Sequence, residues 1–129
     1  MTYKELVKKA YEAMEFAYTP YSKFNVGAAL LTKSGKVYTG CNVEIASLGA
    51  TNCAERTAIF KAISEGEKEY TAIAVVSSSK DFTYPCGICR QVIVEFGKDI
   101  DIIVAKDYDY EVYKIDELLP HSFTGIDIK

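Results

Sequence analysis

The sequence predicts an α/β protein, a three-layer α/β/α sandwich around a mixed sheet of five strands. Three observations lead to this fold class. An amphipathic segment opens the chain, two short apolar segments joined by a glycine-containing turn follow it, and strand-like and helical segments then alternate. A hairpin gives antiparallel pairing, whereas strand–helix alternation adds further strands and places helices on both faces of the sheet.

The first predicted element is a helix over residues 2–18. Thr2 and Glu5 have the spacing of a capping box, which satisfies backbone N–H groups at a helix start. Apolar side chains recur behind them at helical spacing, at Leu6, Ala10, Ala13 and Ala17. The breakers in residues 19–22, Thr-Pro-Tyr-Ser, then end the helix.

A hairpin and a second helix follow. Strands are predicted over Val26–Thr32 and Lys36–Cys41, and Gly35 in their connection supplies a positive φ. After a looser stretch, Asn52 is predicted to cap a helix over residues 53–65, which Gly66 stops. Small side chains line one face of that helix, so that it can pack close to a sheet: Ala54, Ala58 and Ala62.

The rest of the chain alternates between strands and helices. Thr71–Ser77 is nearly all apolar and is predicted to be a strand covered on both faces. The remaining predictions are a helix over 86–96, strands over 101–105 and 111–114, and a helical turn over 116–119. No repeat, linker or low-complexity segment interrupts the sequence, which predicts one domain over residues 1–129.

Composition excludes several classes of protein. The net charge is −3 and basic residues are scattered, which disfavours a nucleic-acid groove. No apolar run approaches 18 residues, and the N-terminus lacks the apolar core of a signal peptide, so a cytoplasmic protein is expected. In a reducing compartment, four cysteines indicate metal binding or catalysis before disulfides.

The chemistry of the chain is concentrated in two short motifs, Cys53-Ala54-Glu55 and Pro85-Cys86-Gly87-Ile88-Cys89. Cys86 and Cys89 lie on one face of the first turn of a predicted helix, and Cys53 begins the preceding helix. Helix N-termini favour thiolate over thiol. Three protein ligands leave a zinc position open for water, as in catalytic sites, and Glu55 lies off the ligand face, beside that water.

Other interpretations of the cysteines remain open at this point. One is a structural zinc site with Cys41 as the fourth ligand, another is a thioredoxin-like redox pair, and a third is a set of unrelated core cysteines. Three thiolates around Zn²⁺ carry a formal charge of −1, which a cation should offset. Arg56 is the first candidate for that role and Arg90 the second.

From end to end the chain resembles the small, homotetrameric cytidine deaminases. The segments that carry the resemblance are Ala17-Tyr18-Thr19-Pro20-Tyr21-Ser22-Lys23-Phe24, Val26-Gly27-Ala28-Ala29-Leu30, Gly40-Cys41-Asn42-Val43-Glu44, Asn52-Cys53-Ala54-Glu55-Arg56-Thr57-Ala58, Pro85-Cys86-Gly87-Ile88-Cys89-Arg90-Gln91 and Glu117-Leu118-Leu119-Pro120. A cysteine as first ligand, with Asn42-x-Glu44 upstream, is similar to the enzymes that act on free nucleosides.

The resemblance implies the remaining site and its partners. Phe24 would pack on the nucleoside ring, Asn42 and Glu44 would hold the ribose 3′-hydroxyl, and the Ala54 N–H would meet the pyrimidine O2. Phe123 would reach a neighbouring subunit's site. It also implies one Zn²⁺ per subunit, a homotetramer, and hydrolytic deamination of cytidine and 2′-deoxycytidine in pyrimidine salvage.

The chain departs from the family pattern in one place, and rival functions remain. Where family members commonly read Asn-Ile-Glu-Asn-Ala-Ala-Tyr, residues 42–48 end in Leu48 instead of an aromatic, which changes the expected contacts between subunits. His121 is expected to be a tail-turn residue without a catalytic role. The rival enzyme is a deaminase of another amino-pyrimidine or of a nucleoside antibiotic, and the non-enzymatic rival is a zinc-stabilised binding module.

Overall fold

The structure is a computed structural model that describes residues 1–125; residues 126–129, the end of the predicted domain, lie outside the described residues. The helices are α1 (Tyr3–Met14), α2 (Ala54–Ser64), α3 (Gly87–Phe96) and α4 (Ile115–Leu118), with a 3₁₀ turn at Leu48–Ala50. The strands are β1 (Val26–Thr32), β2 (Val37–Cys41), β3 (Tyr70–Ser77), β4 (Asp101–Lys106) and β5 (Asp109–Lys114).

The five strands form one mixed sheet in the order β2-β1-β3-β4-β5. β3 pairs in parallel with β4, and the other neighbouring pairs are antiparallel. Seven of the eight residues of β3 are buried, as expected for a central strand. The predicted mixed five-stranded sheet is therefore confirmed, and so is the buried strand at its centre.

Helices cover both faces of the sheet. On one face, Leu6, Val7 and Ala10 of α1 pack with inward side chains of β1, β3 and β4. On the other face, α2 and α3 pack with the alternate side chains of the same strands. The capping box is present, since the Glu5 N–H donates to Thr2 Oγ1 over 3.1 Å. The three-layer α/β/α architecture is confirmed.

Two glycines allow the helices to lie directly on the strands. A Cβ on Gly40 of β2 would lie 2.4 Å from the Ala54 carbonyl oxygen, and a Cβ on Gly27 of β1 would lie 2.0 Å from the Ala10 carbonyl oxygen. Both distances are far below van der Waals contact. Gly40 thus fixes the first turn of α2 against the sheet, where the predicted alanine face of that helix is fully buried.

Extended pairing with Val43 moves two helix boundaries from their predicted places, and the other element ends lie within two residues of the prediction. α1 ends at Met14 instead of residue 18, because the Tyr18 N–H donates to the Asn42 carbonyl and the chain turns into an extended pairing with Val43. α2 is capped by Cys53 instead of Asn52. Asn52 pairs with Val43 through two backbone hydrogen bonds of 3.0 Å, so local extended pairing overrides capping propensity. Within residues 1–125, no helix is long and apolar enough to span a bilayer.

Candidate metal centre and active site

Two helix N-termini bring three cysteine thiols together. Cys53 is the N-cap of α2 and Cys86 the N-cap of α3, and Cys89 lies in the first turn of α3. The Cys89 N–H donates a hydrogen bond to Cys86 Sγ over 3.5 Å. The Sγ atoms of Cys53 and Cys86 are 3.7 Å apart, and all three Sγ atoms lie within 4.8 Å of one another.

This cluster fits a zinc ion. Three thiolates bound tetrahedrally at about 2.3 Å would be about 3.8 Å apart, and the Cys53–Cys86 separation matches that spacing. Cys41 lies outside the cluster, and burial raises the pKa of its thiol. Three sulfur ligands with no fourth cysteine leave one coordination position for a small molecule, which is the pattern of a catalytic rather than a structural site.

Arg56 is the cation beside the thiols. Its Nη2 donates to Cys53 Sγ over 3.2 Å. Burial alone would lower the pKa of Arg56, but hydrogen bonds to Cys53 and Cys89 raise it, so the guanidinium stays charged. Its Nε is buried without a hydrogen-bond partner. The Nη2 contact places the positive charge of the guanidinium beside the sulfur cluster, where it offsets the negative charge of the thiolates.

Hydrogen bonds within the cluster favour the thiolate form of Cys53. A hydrogen bond from the Cys89 thiol, with further ones from Arg56 and Cys86, lowers the pKa of Cys53 to about 5 against the effect of burial. The same bond raises the pKa of Cys89. A bound cation removes this sharing, because coordination deprotonates thiols outright.

Glu55 lies beside the sulfurs with its carboxyl group buried. The residue is only 3% exposed, and the burial raises its pKa to about 7. The negative charge of Cys53 adds to the rise, while its own backbone N–H and Arg56 oppose it. A carboxyl group with a pKa near neutrality can both accept and donate a proton, which suits general acid–base catalysis.

A small cavity opens over this carboxyl group. Its volume is about 220 Å³, below the roughly 300–1,000 Å³ of drug-sized sites, so it suits a small molecule. The lining residues are Phe24, Val26, Asn42, Thr51, Asn52, Cys53, Ala54, Glu55, Thr83, Tyr84 and Cys86. The structure therefore brings two of the predicted metal ligands, Glu55, and three of the predicted substrate contacts to one cavity.

Asn42 and Glu44 form hydrogen bonds with the backbone of the segment beside this cavity. Asn42 Oδ1 accepts from the Val26 N–H over 2.9 Å, and its Nδ2 donates to the Phe24 carbonyl over 2.8 Å. Glu44 does not line the cavity; its carboxylate accepts from the N–H groups of Tyr21 and Ser22 over 3.0 and 3.1 Å. Both side chains thus hold the segment that carries Phe24, and their predicted contact with ribose stays a prediction.

Three other predicted positions lie away from the cavity of the same chain. Phe123 is 57% exposed, and its carbonyl accepts from Gln91 Nε2 over 3.0 Å. Arg90 does not reach the thiols; its Nε donates to the Pro85 carbonyl over 2.7 Å and its Nη1 to the Leu118 carbonyl over 2.6 Å. His121 is exposed in a turn with φ 58°, as expected for a tail residue.

Residues 1–106 match the model of one protein family, described as the cytidine and deoxycytidylate deaminase zinc-binding region. The chain belongs to that deaminase family. The match spans both cysteine motifs, all of α1 to α3 and four of the five strands. The three-thiol cluster agrees with the zinc cofactor expected for the family, and the mixed sheet agrees with its fold.

Individual deaminases are similar to the chain over nearly its whole length. The cytidine deaminase of Halalkalibacterium halodurans is 50% identical over 125 residues, covering 95% of each chain. That of Sporosarcina psychrophila is 45% identical over 130 residues, covering 99% of this chain and 96% of the relative. The crystal structure of cytidine deaminase from Burkholderia pseudomallei has a TM-score of 0.91 and 47% identity, covering 95% of this chain and all of that one.

Sequence reasoning did not assign five of the cavity residues to the site: Val26, Thr51, Asn52, Thr83 and Tyr84. Thr83 and Tyr84 lie in the connection between β3 and α3, which has no periodicity to indicate which side chains turn inward. The available signal was position alone, since Tyr84 directly precedes the Pro85-Cys86 motif.

Proposed function

We propose that this chain is a zinc-dependent hydrolase that deaminates cytidine and 2′-deoxycytidine to the corresponding uridines, releasing ammonia. The observation that carries the proposal is the buried Glu55 carboxyl group in the same small cavity as two thiols of the cluster. Membership in the deaminase family and the names of the full-length relatives agree with this activity.

The cavity favours a nucleoside over a nucleotide. Of the described residues that line it, none is a lysine or an arginine, so the cavity wall offers no cation to a substrate phosphate. An isolated phosphate would have to leave water without a charged partner, which is costly. An uncharged ring and sugar meet apolar walls with a few amide and hydroxyl groups, as is usual in small-molecule sites.

The proposed mechanism assigns the proton transfers to Glu55. Cys53, Cys86 and Cys89 would hold zinc, and the bound ion would supply a Lewis acid that lowers the pKa of water toward neutrality. The Glu55 carboxylate accepts a proton as water adds to C4 of the pyrimidine and delivers it to N3. Glu55 next accepts the proton of the new C4 hydroxyl and passes it to N4, so that the C4 carbonyl forms as the C4–N4 bond breaks and ammonia leaves. One carboxyl group acts as base and then as acid, and its burial beside the thiols places it where both transfers occur.

Substrate orientation is assigned to the walls of the cavity. The Phe24 ring packs on the nucleoside, and the Ala54 N–H, at the first residue of α2, donates to the pyrimidine O2; such first-turn N–H groups have no acceptor within their helix. Asn42 and Glu44 bind the ribose 3′-hydroxyl with the hydrogen-bonding capacity that remains on their side chains. Arg56 keeps the thiolate charge balanced.

The proposed assembly is a homotetramer in which Phe123 completes a neighbouring subunit's site. Its support is the resemblance together with the exposure of apolar side chains that an isolated chain would leave in water, among them Phe123 and Leu48, which is 75% exposed. All four cysteines are free, which agrees with a cytoplasmic enzyme. The assignment of residues 1–129 to a single domain belongs to the same proposal.

The test is the loss of cytidine ultraviolet absorbance with purified protein, measured beside Glu55→Gln and a chelator-treated sample. Glu55→Gln should retain zinc and lose about 10²- to 10⁴-fold in turnover, because the amide cannot shuttle the proton. Glu12→Gln, an exposed glutamate of α1, is the matched control and should be fully active.

Three outcomes would overturn the proposal or part of it. Tightly held zinc without turnover of cytidine, 2′-deoxycytidine, cytosine, dCMP or related amines would favour the zinc-stabilised binding module. Faster turnover of one of the other amines would reassign the substrate. Near-normal activity of Glu55→Gln would remove this residue from the mechanism.

A further inference from the structure

Four consecutive residues, Phe82 to Pro85, lead into Cys86, and each of them contacts a different helix or strand. The Lys106 ammonium at the end of β4 lies 5.0 Å from the centre of the Phe82 ring, and Thr83 Oγ1 and Ser77 Oγ at the end of β3 are 2.5 Å apart. Tyr84 contacts Tyr113 of β5. Arg90 of α3 holds the Pro85 carbonyl. We name Phe82–Pro85 the anchored segment.

Tyr84 is the aromatic member of this segment that reaches the cavity. It lines the cavity and is 39% exposed, so part of its ring is free to meet a bound molecule. The rest of the ring lies edge-on to Tyr113, with centroids 5.7 Å apart and an interplanar angle of 66°. Thr83 also lines the cavity, but its hydroxyl is already engaged by Ser77.

A chain of hydroxyl groups fixes the orientation of Tyr84. The Tyr113 hydroxyl donates to Glu111 Oε1 over 2.9 Å. Because a phenol has one proton to donate, the Tyr113 oxygen accepts the Tyr84 hydroxyl, 3.3 Å away. The neighbouring Tyr84 phenol and then the Glu111 carboxylate raise the pKa of Tyr113, which keeps it protonated as a donor. Tyr84 is thereby held at both its ring and its hydroxyl.

We propose that Tyr84 is a wall of the cavity that binds and positions the substrate, and that Tyr113 is the residue that positions Tyr84. This inference rests on the proposed nucleoside deaminase function. A ring that is fixed before binding loses little conformational freedom when a pyrimidine nucleoside packs against it, so it increases affinity without touching the proton transfers at Glu55. The mark of this role is a change in KM and in product affinity, with kcat retained.

The experiment compares Tyr84→Ala, Tyr84→Phe, Tyr113→Phe and the double phenylalanine variant, with KM and kcat for cytidine and the competitive Ki of uridine. Tyr84→Ala should raise KM and Ki about 5- to 100-fold, the range expected for a lost base–aromatic contact. Each phenylalanine variant should raise them about 2- to 5-fold, and the double variant no more than either single one, because both remove the same hydroxyl contact.

Tyr110→Phe is the matched control, because Tyr110 lies on β5 as well but pairs with Tyr3 on the α1 side of the sheet. It should leave KM, kcat and Ki unchanged. Zinc content is measured for every variant. If Tyr84→Ala does not retain zinc, Tyr113→Phe decides, because it leaves the anchored segment intact.

Unchanged KM and Ki in Tyr84→Ala with zinc retained would overturn the inference, as would additive effects in the double variant or a loss confined to kcat. These results are distinct from failure of the proposed function, which would appear as absence of cytidine turnover in the wild-type protein itself.

Discussion

The close contact between β2 and the start of α2 leads to a specific prediction for Gly40→Ala. The new Cβ would lie 2.4 Å from the Ala54 carbonyl oxygen, 2.6 Å from the Ala58 nitrogen and 2.9 Å from Thr57 Cβ. Two of these neighbours are backbone atoms of α2, so no side-chain rotation relieves the overlap. The first turn of α2 must move away from the sheet, and it carries both Glu55 and the Cys53 cap.

The size of the effect follows from the distances. The Ala54 carbonyl must retreat by about 1 Å to reach ordinary contact at 3.4 Å. A displacement of about 1 Å at a catalytic group costs on the order of 10²-fold in rate. Overpacking of this kind also lowers the free energy of unfolding by about 1–3 kcal/mol. We therefore expect Gly40→Ala to fold, with kcat reduced about 100-fold and zinc affinity weakened.

The assay measures kcat on cytidine, zinc affinity against a competing chelator, and the urea midpoint. Gly27→Ala is the informative comparison, because its Cβ would meet the Ala10 carbonyl at 2.0 Å and displace α1, which carries no predicted site residue. Gly27→Ala should lower the free energy of unfolding at least as much as Gly40→Ala does. Its folded fraction should nevertheless keep zinc and a near-normal kcat. Gly49→Ala, with open space around its Cβ, should behave as wild type.

Equal losses of kcat in the folded fractions of the Gly40 and Gly27 variants would refute the reasoning, because the effect would then follow global stability instead of the position of α2. Wild-type kcat and zinc affinity in Gly40→Ala would refute it as well.

Two further predictions concern charge. Arg56→Gln removes the cation beside the thiols and should lower turnover or zinc affinity about 10- to 100-fold, whereas Lys61→Gln on the same helix should change neither; equal behaviour of the two variants would contradict this. Burial alone would raise the pKa of Asp101, but hydrogen bonds from Lys114 and Tyr3 lower it. Its stabilising effect is therefore present above pH ~4 and lost as pH falls below the depressed folded-state pKa. Asp101→Asn should lower the free energy of unfolding measured in urea at pH 7 by about 0.5–1 kcal/mol and match wild type near pH 2; a difference that persists in acid would contradict the assignment.

The elements of the fold could be predicted from local chemistry. The capping box at Thr2, the turn at Gly35 and the apolar run of β3 each act within a few residues, so their effect is visible in the sequence. The boundaries at residues 14 and 53 could not be predicted in the same way. They depend on the pairing of Val43 with Tyr18 and with Asn52, contacts between segments whose proximity only the fold creates.

The candidate site likewise has one part that the local sequence predicts and another that it does not. The cysteine spacing identified the cluster, because helix geometry fixes where Cys86 and Cys89 point once a helix starts between them. The interpretation of Arg90 as a second cation for the thiols was wrong: its guanidinium faces the Pro85 and Leu118 carbonyls. Adjacency to Cys89 in the sequence does not determine which side of α3 a long side chain takes.

Cys53 and Cys86 lie 33 positions apart in the sequence, and their thiols close a loop that contains α2 and the central strand β3. An ion that bridges Cys53 and Cys86 therefore acts as a cross-link as well as a reagent. A disulfide closing a loop of this length would restrict the unfolded chain by roughly 3–4 kcal/mol, and a metal bridge imposes a comparable constraint as long as it persists. The lifetime of the polypeptide against proteolysis is thereby coupled to its metal supply, since a chain that loses the ion loses the link between the starts of α2 and α3 at the same moment.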